Sequence, residues 1–199
     1  MKYGNMTLGR VEALINVLGG ESVVRSLLNG TSKCAIETAR HLTALTTHDV
    51  VGYKYNPLDF FKTRKGLRTS DNFQNFILAA AEDGVVETSD VKIGHADLAQ
   101  AANDAEIDAE LPEGHVFDDV NDFLGRLGTL IDDQWGGKDG VLLNTGYRAN
   151  ILYVKGVNGK TFAVRVYWNS GGRWWHCYAL RLDDGRWNAD SRVFSATAA

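Results

Sequence analysis

The chain is poor in cysteine and proline, and it has no long hydrophobic run. Cys34 and Cys177 are its two cysteines, and their separation matches neither a disulfide framework nor a zinc-binding pattern. No apolar run approaches the ~20 residues that a membrane-spanning helix needs, and the apolar stretch 11–18 is too short for a secretory signal. We therefore expect a soluble, cytoplasmic protein with reduced thiols, no metal, no cofactor and no contact with a membrane.

What the chain does have is a globular composition with unevenly distributed charge. Hydrophobic residues make up 44% and charged residues 23% of the 199 positions, which is typical of a chain with a packed core. Residues 1–70 contain ten Lys and Arg against five Asp and Glu, residues 71–140 contain three against seventeen, and residues 141–199 contain eight against three. This segregation bears on partners rather than on fold, and the acidic middle would also neutralise the basic ends within one compact body.

The last fifty residues carry the clearest structural pattern. Four strand-like runs follow Ala149, separated by Asn158-Gly159, Gly171-Gly172 and Asp183-Asp184-Gly185. Asn-Gly favours a tight hairpin because both central residues of a type I′ turn need positive φ. The pattern predicts an antiparallel β-meander, and hence an α+β fold rather than a βαβ one.

Helical periodicity characterises the rest of the chain. Residues 8–46 predict three short helices, of which the second and third resemble a helix-turn-helix in outline. Ser70 is expected to cap a further helix, and Asp118 to cap the most regular one. Six apolar residues share one face of that last helix, which is expected to lie across the sheet. They are Val120, Phe123, Leu124, Leu127, Leu130 and Ile131.

These elements predict three regions of chain. Residues 1–48 would form a small helical N-terminal unit, and residues 49–112 a mixed connecting region that is basic and then acidic. Residues 113–199 would form an α+β domain in which the antiparallel β-meander packs on the amphipathic helix.

Basic and aromatic residues are interleaved between positions 53 and 68. The basic residues are Lys54, Lys62, Arg64, Lys65 and Arg68, and the aromatic ones are Tyr53, Tyr55, Phe60 and Phe61. Because rings stack on bases and cations neutralise phosphates, this segment is a candidate site for single-stranded nucleic acid, assisted by Lys33 and Arg40. The alternative is an ordinary connection whose rings anchor it to the core while its cations stay in solvent.

A second candidate surface lies in the C-terminal sheet. If the face opposite the amphipathic helix is open, Arg165, Tyr167, Trp175 and Arg181 would form an aromatic and cationic platform. Such a platform suits a carbohydrate, a nucleobase or a protein partner. The alternative is that these rings are buried against the rest of the chain.

No combination of residues matches an arrangement of catalytic groups. His176 and Cys177 are adjacent in a predicted strand, so their side chains point to opposite faces and cannot form a nucleophile and base pair. His115 and Asp118 remain as candidates for a hydrolase or metal-dependent enzyme, although Asp118 is also explained as a helix cap.

Four segments resemble a group of uncharacterised bacterial hypothetical proteins. They are LGGESVVRSLLNG, DAEIDAELPEGHVFDD, GYRANILYVKGVNG and the closing RLDDGRWNADSRVFS, whose RWNADSRVFS is the most specific piece. The resemblance implies a bacterial origin and an architecture with a helical start and a sheet finish. It implies no activity and no catalytic residue.

The sequence therefore favours a non-enzymatic binding or accessory protein that engages a macromolecular partner, a protein rather than a nucleic acid. The alternatives are nucleic-acid binding through residues 53–68 and an enzyme around His115. The oligomeric state is left open.

Overall fold

The computed structural model describes residues 7–32, 40–182 and 185–197. The chain divides into two compact units, Met1–Ala39 and Arg40–Ala199. The division lies before the boundary expected at residue 48, and residues 49–112 belong to the same unit as the C-terminal sheet.

Two helices are described in the first unit. Helix α1 spans Leu8–Val17 and helix α2 spans Glu21–Leu28. The glycine pair between them has φ values of 100° and 93°, a left-handed conformation that glycine adopts readily, so α1 ends there. The third predicted helix, and with it the helix-turn-helix outline, falls largely on residues 33–39, outside the described residues. Residues 40–45, which would continue that helix, are not helical.

The described part of the second unit contains nine strands, four α-helices and two short 3-10 helices, Leu78–Ala80 and Val157–Gly159. The strands are β1 Thr46–Val50, β2 Lys54–Tyr55, β3 Leu67–Thr69, β4 Val86–Glu87, β5 Val91–Asp97, β6 Asn150–Lys155, β7 Thr161–Asn169, β8 Trp174–Arg181 and β9 Arg192–Ser195. The α-helices are α3 Pro57–Phe60, α4 Asp71–Phe76, α5 Asp104–Asp108 and α6 Val120–Asp133. The predicted α+β class is confirmed. No described helix is long and apolar enough to cross a membrane.

Seven strands form one mixed sheet in the order β1-β5-β9-β6-β7-β8-β3, and β2 pairs with β4. Strands β6, β7 and β8 are successive antiparallel neighbours, as their turns predict. A four-strand meander does not form, because β9 pairs with β6 in parallel and with β5 in antiparallel orientation. The free edge of β8 pairs with β3 in parallel.

The composition of β9 explains its central position. Val193 and Phe194 are both fully buried, and they belong to the cores on opposite faces of the sheet. A strand that is apolar on both faces is stable between two other strands and two layers, whereas an edge position would leave its backbone groups unpaired.

Helix α6 lies against one face of the sheet. Its cap is Asp119 rather than the predicted Asp118, since the Asp119 side chain accepts hydrogen bonds from the amides of Asn121 and Asp122. All six residues of the predicted apolar stripe are buried. The stripe therefore identified the helix and its buried face correctly, with an error of one residue at the start.

Two glycines of α6 position the segment that follows β1. A Cβ at Gly125 would lie 1.4 Å from the Tyr53 ring, and a Cβ at Gly128 would lie 1.9 Å from the Tyr55 hydroxyl. The Tyr53 hydroxyl donates to the carbonyl of Asn121 and the Tyr55 hydroxyl to that of Gly125. Both tyrosines are therefore anchored to the helix.

Each face of the sheet carries a hydrophobic core, but the two cores differ in extent. The larger core includes Phe73, Phe123, Val164 and Trp175 and lies on the side of α4 and α6. The smaller core includes Leu98, Ile107, Ile151, Trp187 and Val193. Ala163 is the one β7 residue in this smaller core among those described. Beyond Ala163, the side chains of β7 and of the adjoining part of β8 that point away from α6 have no layer of described residues over them. We call this surface the outer face.

Candidate functional site

The register of β7 and β8 decides which side chains share the outer face. Tyr167 lies opposite His176, and Arg165 lies opposite Tyr178. Residues directly opposite each other in an antiparallel pair point to the same side of the sheet. Strand β3 adds Arg68 beside His176, so cations and rings from three strands meet on this face.

The structure does not bring the four residues of the predicted platform together. Arg165 and Tyr167 share the outer face, with the Arg165 Cζ 4.8 Å from the Tyr167 ring centroid. Trp175 is fully buried on the α6 side, where its Nε1 donates to the carbonyl of Gln134 at 3.1 Å. Arg181 is in register with Phe162 of the larger core, and its Cζ lies 5.8 Å from the Phe76 ring centroid. It also lines a cavity that Arg165 lines. The partners of Tyr167 on the outer face are instead the alternate residues of β8.

Three rings form a continuous row on the outer face, and each is partly exposed. The Tyr167 centroid lies 5.5 Å from that of His176 and 6.1 Å from that of Tyr178, and the last two lie 4.2 Å apart. The Tyr167 hydroxyl is 3.2 Å from the His176 Nδ1. Burial and the nearby charges of Arg68 and Arg165 lower the pKa of His176, so its neutral form is favoured.

A wide groove continues from this row to the edge strand β3, and we call it the basic groove. Its volume is about 1200 Å³. Among the described residues that line it, four are Lys or Arg and none is Asp or Glu, although the whole chain has a net charge of -4. The lining residues are Thr63, Arg64, Lys65, Gly66, Arg68, Thr69, Trp135, Gly136, Gly172, Arg173, Trp174 and His176.

The four cations of the basic groove are not neutralised within the described part of the chain. No ion pair joins Arg64, Lys65, Arg68 or Arg173 to a described carboxylate. An acid-free concave surface with unpaired cations concentrates positive potential and attracts anions from solution.

Two tryptophans hold the guanidinium groups of the groove. The Arg68 Cζ lies 3.8 Å from the Trp174 ring centroid, and the Arg64 Cζ lies 5.0 Å from that of Trp135. These are cation–π distances. The Trp174 Nε1 is buried without a hydrogen-bond partner, a state that costs about 1–3 kcal/mol. A ligand with a hydrogen-bond acceptor would recover part of that free energy after a small movement of the ring.

Glycines allow both tryptophan rings to lie against the backbone. Gly66 has a φ of +90°, and a Cβ there would lie 2.6 Å from the Trp135 Cζ2. A Cβ at Gly172 would lie 1.8 Å from the Trp174 Cζ3. The turn residue Arg173 has a φ of 57°, which is uncommon outside glycine, asparagine and aspartate. The shape of the groove therefore depends on specific backbone positions in two separate turns.

The five predicted basic residues divide into two groups. Arg64, Lys65 and Arg68 line the basic groove. Lys54 pairs with Glu87 at 2.7 Å and Lys62 pairs with Asp59 at 2.5 Å, and neither lysine lines the groove. Of the two assisting cations, Arg40 does not line it either, and Lys33 lies outside the described residues.

The aromatic residues of the same segment do not supply the rings of the groove. Tyr53 and Tyr55 are anchored to α6, and Phe61 is fully buried. Phe60 does not line the groove, although its ring centroid lies 4.8 Å from the Arg64 Cζ. The rings come instead from Trp135, after α6, and Trp174, at the start of β8. The interleaved pattern thus identified three of the cations, while the residues that complete the surface are distant in sequence.

His115 and Asp118 have separate partners. The His115 ring is buried, with its Nδ1 3.1 Å from the carbonyl of Pro112 and its Nε2 3.2 Å from an Asp108 carboxylate oxygen. Asp118 forms an ion pair with Lys155 at 2.7 Å. Among the described residues, no group of three or more His, Cys, Asp or Glu side chains is arranged to hold a metal ion.

No protein-family model, no curated protein and no solved structure matches this chain. The function proposed below therefore rests on the geometry of this molecule and on the residues that form the basic groove.

Proposed function

We propose that the protein is a non-enzymatic binding protein whose macromolecular partner is single-stranded nucleic acid. The basic groove is the observation that carries this proposal. Within the described part of the chain, it combines four cations that have no ion pair, a lining free of carboxylates and the ring of Trp174 at one surface. A cationic track for the phosphates beside aromatic rings for the bases is the combination that single-strand binding requires.

The ring row favours a single strand over a duplex. Tyr167, His176 and Tyr178 present partly exposed rings on a sheet face next to the groove. Rings of this kind stack on bases that are already unstacked, which a duplex does not offer without paying for base-pair opening. A strand that lies in the groove can therefore place successive bases on the row.

The sequence favoured a protein partner, and the groove also accounts for attraction of an acidic protein segment. Carboxylates would neutralise Arg64 or Lys65 but would leave the rings of the row without a flat partner. We therefore infer that a strand with bases uses more of the surface than an acidic peptide does. A polyglutamate peptide is the appropriate competitor to separate the two partners.

The test is fluorescence anisotropy with labelled DNA and RNA strands of about 12 nucleotides, within the range of single-strand site sizes, at several salt concentrations. The Arg64→Gln, Lys65→Gln double variant is compared with Lys54→Gln, Lys62→Gln. Both pairs remove two positive charges from one segment, but only the first pair lines the groove.

We expect the groove variant to lose about tenfold or more in affinity, because it lacks two contacts to the phosphates. The loss should be similar for strands of different sequence. Its dependence of log K on log salt should be shallower by about 1.4, because each single-strand phosphate contact contributes about 0.7. The control variant should bind like the parent protein. Equal losses in both variants would show general attraction without a groove. No strand binding at low salt, or equally effective competition by polyglutamate, would refute the proposal.

A further inference from the structure

A second cavity opens on the outer face, on the side of Arg165 away from the basic groove. Its volume is about 420 Å³, which is the size of a small-molecule site. Its charged and aromatic lining residues are Arg148, Arg165, Arg181, Arg186, Asp104, Tyr147 and Trp187. We infer that this cavity binds a phosphate monoester, either a free small molecule or the phosphorylated end of a strand. Binding of a strand end rests on the proposed function, whereas binding of a free small molecule does not.

Three arginines of the cavity, Arg148, Arg165 and Arg186, differ in whether a described carboxylate already pairs with them. Arg186 lies 3.0 Å from a carboxylate oxygen of Glu106, and Arg148 lies 3.5 Å from one of Asp190. Arg165 has no ion pair with a described residue. Its one described hydrogen bond is donated by Nη2 to the carbonyl of Tyr147 at 3.3 Å.

Arg165 is therefore the group that would bind the anion. Its Nε is buried and has no hydrogen-bond partner among the described residues, so this part of the guanidinium is desolvated and unsatisfied. A guanidinium matches a phosphate through two parallel N–H bonds. Since a phosphate monoester carries about 1.5 to 2 negative charges at pH 7, Arg148 at the same cavity can contribute to its binding.

A buried polar network holds the wall of the cavity in place. The Asp104 Oδ1 accepts hydrogen bonds from the Tyr153 hydroxyl at 2.8 Å and from the Trp187 Nε1 at 2.7 Å. Burial and the Asp104 charge raise the pKa of Tyr153, so its hydroxyl remains a donor. These two bonds fix the Trp187 indole, which pre-organises the cavity for a ligand.

The rim of the cavity contains unusual backbone. Tyr147 and Asp190 have φ values of 56° and 64°. A tyrosine in the left-handed region is uncommon, and such conformations persist where the surrounding structure demands them. The Tyr147 ring is 52% exposed beside the cavity, so it can lie against the organic part of a ligand.

A chain of side-chain contacts links the cavity to the proposed strand site. The Arg165 guanidinium lies over the Tyr167 ring, and Tyr167 neighbours His176, which lines the basic groove. A strand in the groove that follows the ring row would bring its terminal phosphate to Arg165. A free nucleotide would bind through the same contact, between its phosphate dianion and the Arg165 guanidinium.

The test uses adenosine 5′-monophosphate in calorimetric titrations and strands that end in 5′-phosphate, 3′-phosphate or hydroxyl in anisotropy. Arg165→Gln removes the charge, and Arg165→Lys retains it without the guanidinium fork. Lys160→Gln serves as control because Lys160 is exposed and lines neither cavity. Thermal unfolding establishes that each variant is folded, and Arg165→Lys carries the test if Arg165→Gln is not.

Saturable binding of the monophosphate that falls about tenfold in an Arg165 variant supports the inference for a free ligand. Tighter binding of one phosphorylated end than of the hydroxyl end, lost in the same variant, assigns the cavity to the strand end. Absence of a phosphate effect in both arms, or its survival in the Arg165 variants, overturns the inference. If strands bind but a terminal phosphate has no effect, the proposed function is supported and the inference about the cavity is wrong. If the monophosphate binds but strands do not, the inference about the cavity is supported and the proposed function is wrong.

Discussion

Adjacent residues of β8 face two different environments. Trp175 and Cys177 lie on the α6 side and are fully buried, whereas Trp174 and His176 lie on the outer face and are partly exposed. Each face has a tryptophan, so the hydrophobicity of the strand does not distinguish them. The difference is in what lies opposite: a helix with an apolar stripe on one side, and the guanidinium of Arg68 on the other.

The two tryptophans also differ in how their polar atoms are satisfied. The Trp175 Nε1 donates to the carbonyl of Gln134, while the Trp174 Nε1 is buried without a partner. A tryptophan that stabilises a core normally has its donor paired, since an unpaired buried donor is costly. The contrast indicates that one face of the hairpin stabilises the fold and that the other is arranged to bind.

The largest expected effect is on the stabilising face. Trp175→Ala removes a fully buried indole that lies 5.5 Å from the Trp168 ring and removes its hydrogen bond. Truncation of a buried tryptophan lowers the free energy of unfolding by about 3–5 kcal/mol. Denaturant unfolding followed by circular dichroism measures this change.

The matched variant is Trp174→Ala, one residue away on the outer face. Because Trp174 is partly exposed, we expect its free energy of unfolding to change by less than about 1 kcal/mol. Its affinity for a single strand should fall by about 1–3 kcal/mol, the usual contribution of one stacked base. If Trp174→Ala destabilised the fold as much as Trp175→Ala and left strand affinity unchanged, the distinction between the two faces would be wrong.

Local patterns predicted the elements of this fold well. The stripe of α6 gave its buried face, and the turns after β6 and β7 gave two hairpins, because these signals depend on neighbours in sequence. The position of β9 and the pairing of β3 with β8 were not predictable in this way. Both are parallel contacts between distant segments, and their selection depends on burial in the assembled core.

The sequence contains enough information to predict which residues of β8 face helix α6. Alternation divides β8 into two sets of residues, each of which contains a tryptophan, and does not say which set faces the helix. The turn centred on Gly171 and Gly172 identifies the buried set, since it places Trp168 opposite Trp175. Because Trp168 alternates with Val164 and Val166 on the apolar face of β7, the same turn predicts that Trp175 is buried.

A smaller effect is expected when the Trp174 ring is moved rather than removed. In Gly172→Ala the added Cβ would lie 1.8 Å from the Trp174 Cζ3, so the ring must leave its position under Arg68. We expect strand affinity to fall several-fold with little change in unfolding. Intrinsic fluorescence reports the displaced ring, and anisotropy reports the affinity.

Gly171→Ala is the matched control for this variant. A Cβ at Gly171 would meet only the Asn169 Oδ1 at 3.6 Å, an ordinary contact, so the Trp174 ring stays in place. The control should bind strands like the parent protein. Equal affinities of the two alanine variants would mean that the position of the Trp174 ring does not contribute to binding.

The smallest expected effect is the pH dependence of strand affinity. Here His176 is compared with its neighbour Cys177. Burial raises the pKa of the Cys177 thiol, so the thiol stays protonated and does not contribute to the pH dependence of binding. Burial, Arg68 and Arg165 lower the pKa of His176 in the free protein. Bound phosphates would favour the imidazolium and raise that pKa, so strand affinity should increase as pH falls. The gain begins at the pKa of the bound state and is complete below the lowered pKa of the free state.

Nuclear magnetic resonance titration of the His176 ring, with and without a strand, measures both pKa values directly. His176→Gln removes the titrating group and should flatten the pH dependence of affinity, while the groove cations remain to bind phosphate. An unchanged pH dependence in His176→Gln would place the titrating group elsewhere. An unchanged His176 pKa in the bound protein would mean that the strand does not reach the ring row, and binding would then be confined to the cations and the Trp174 ring of the basic groove.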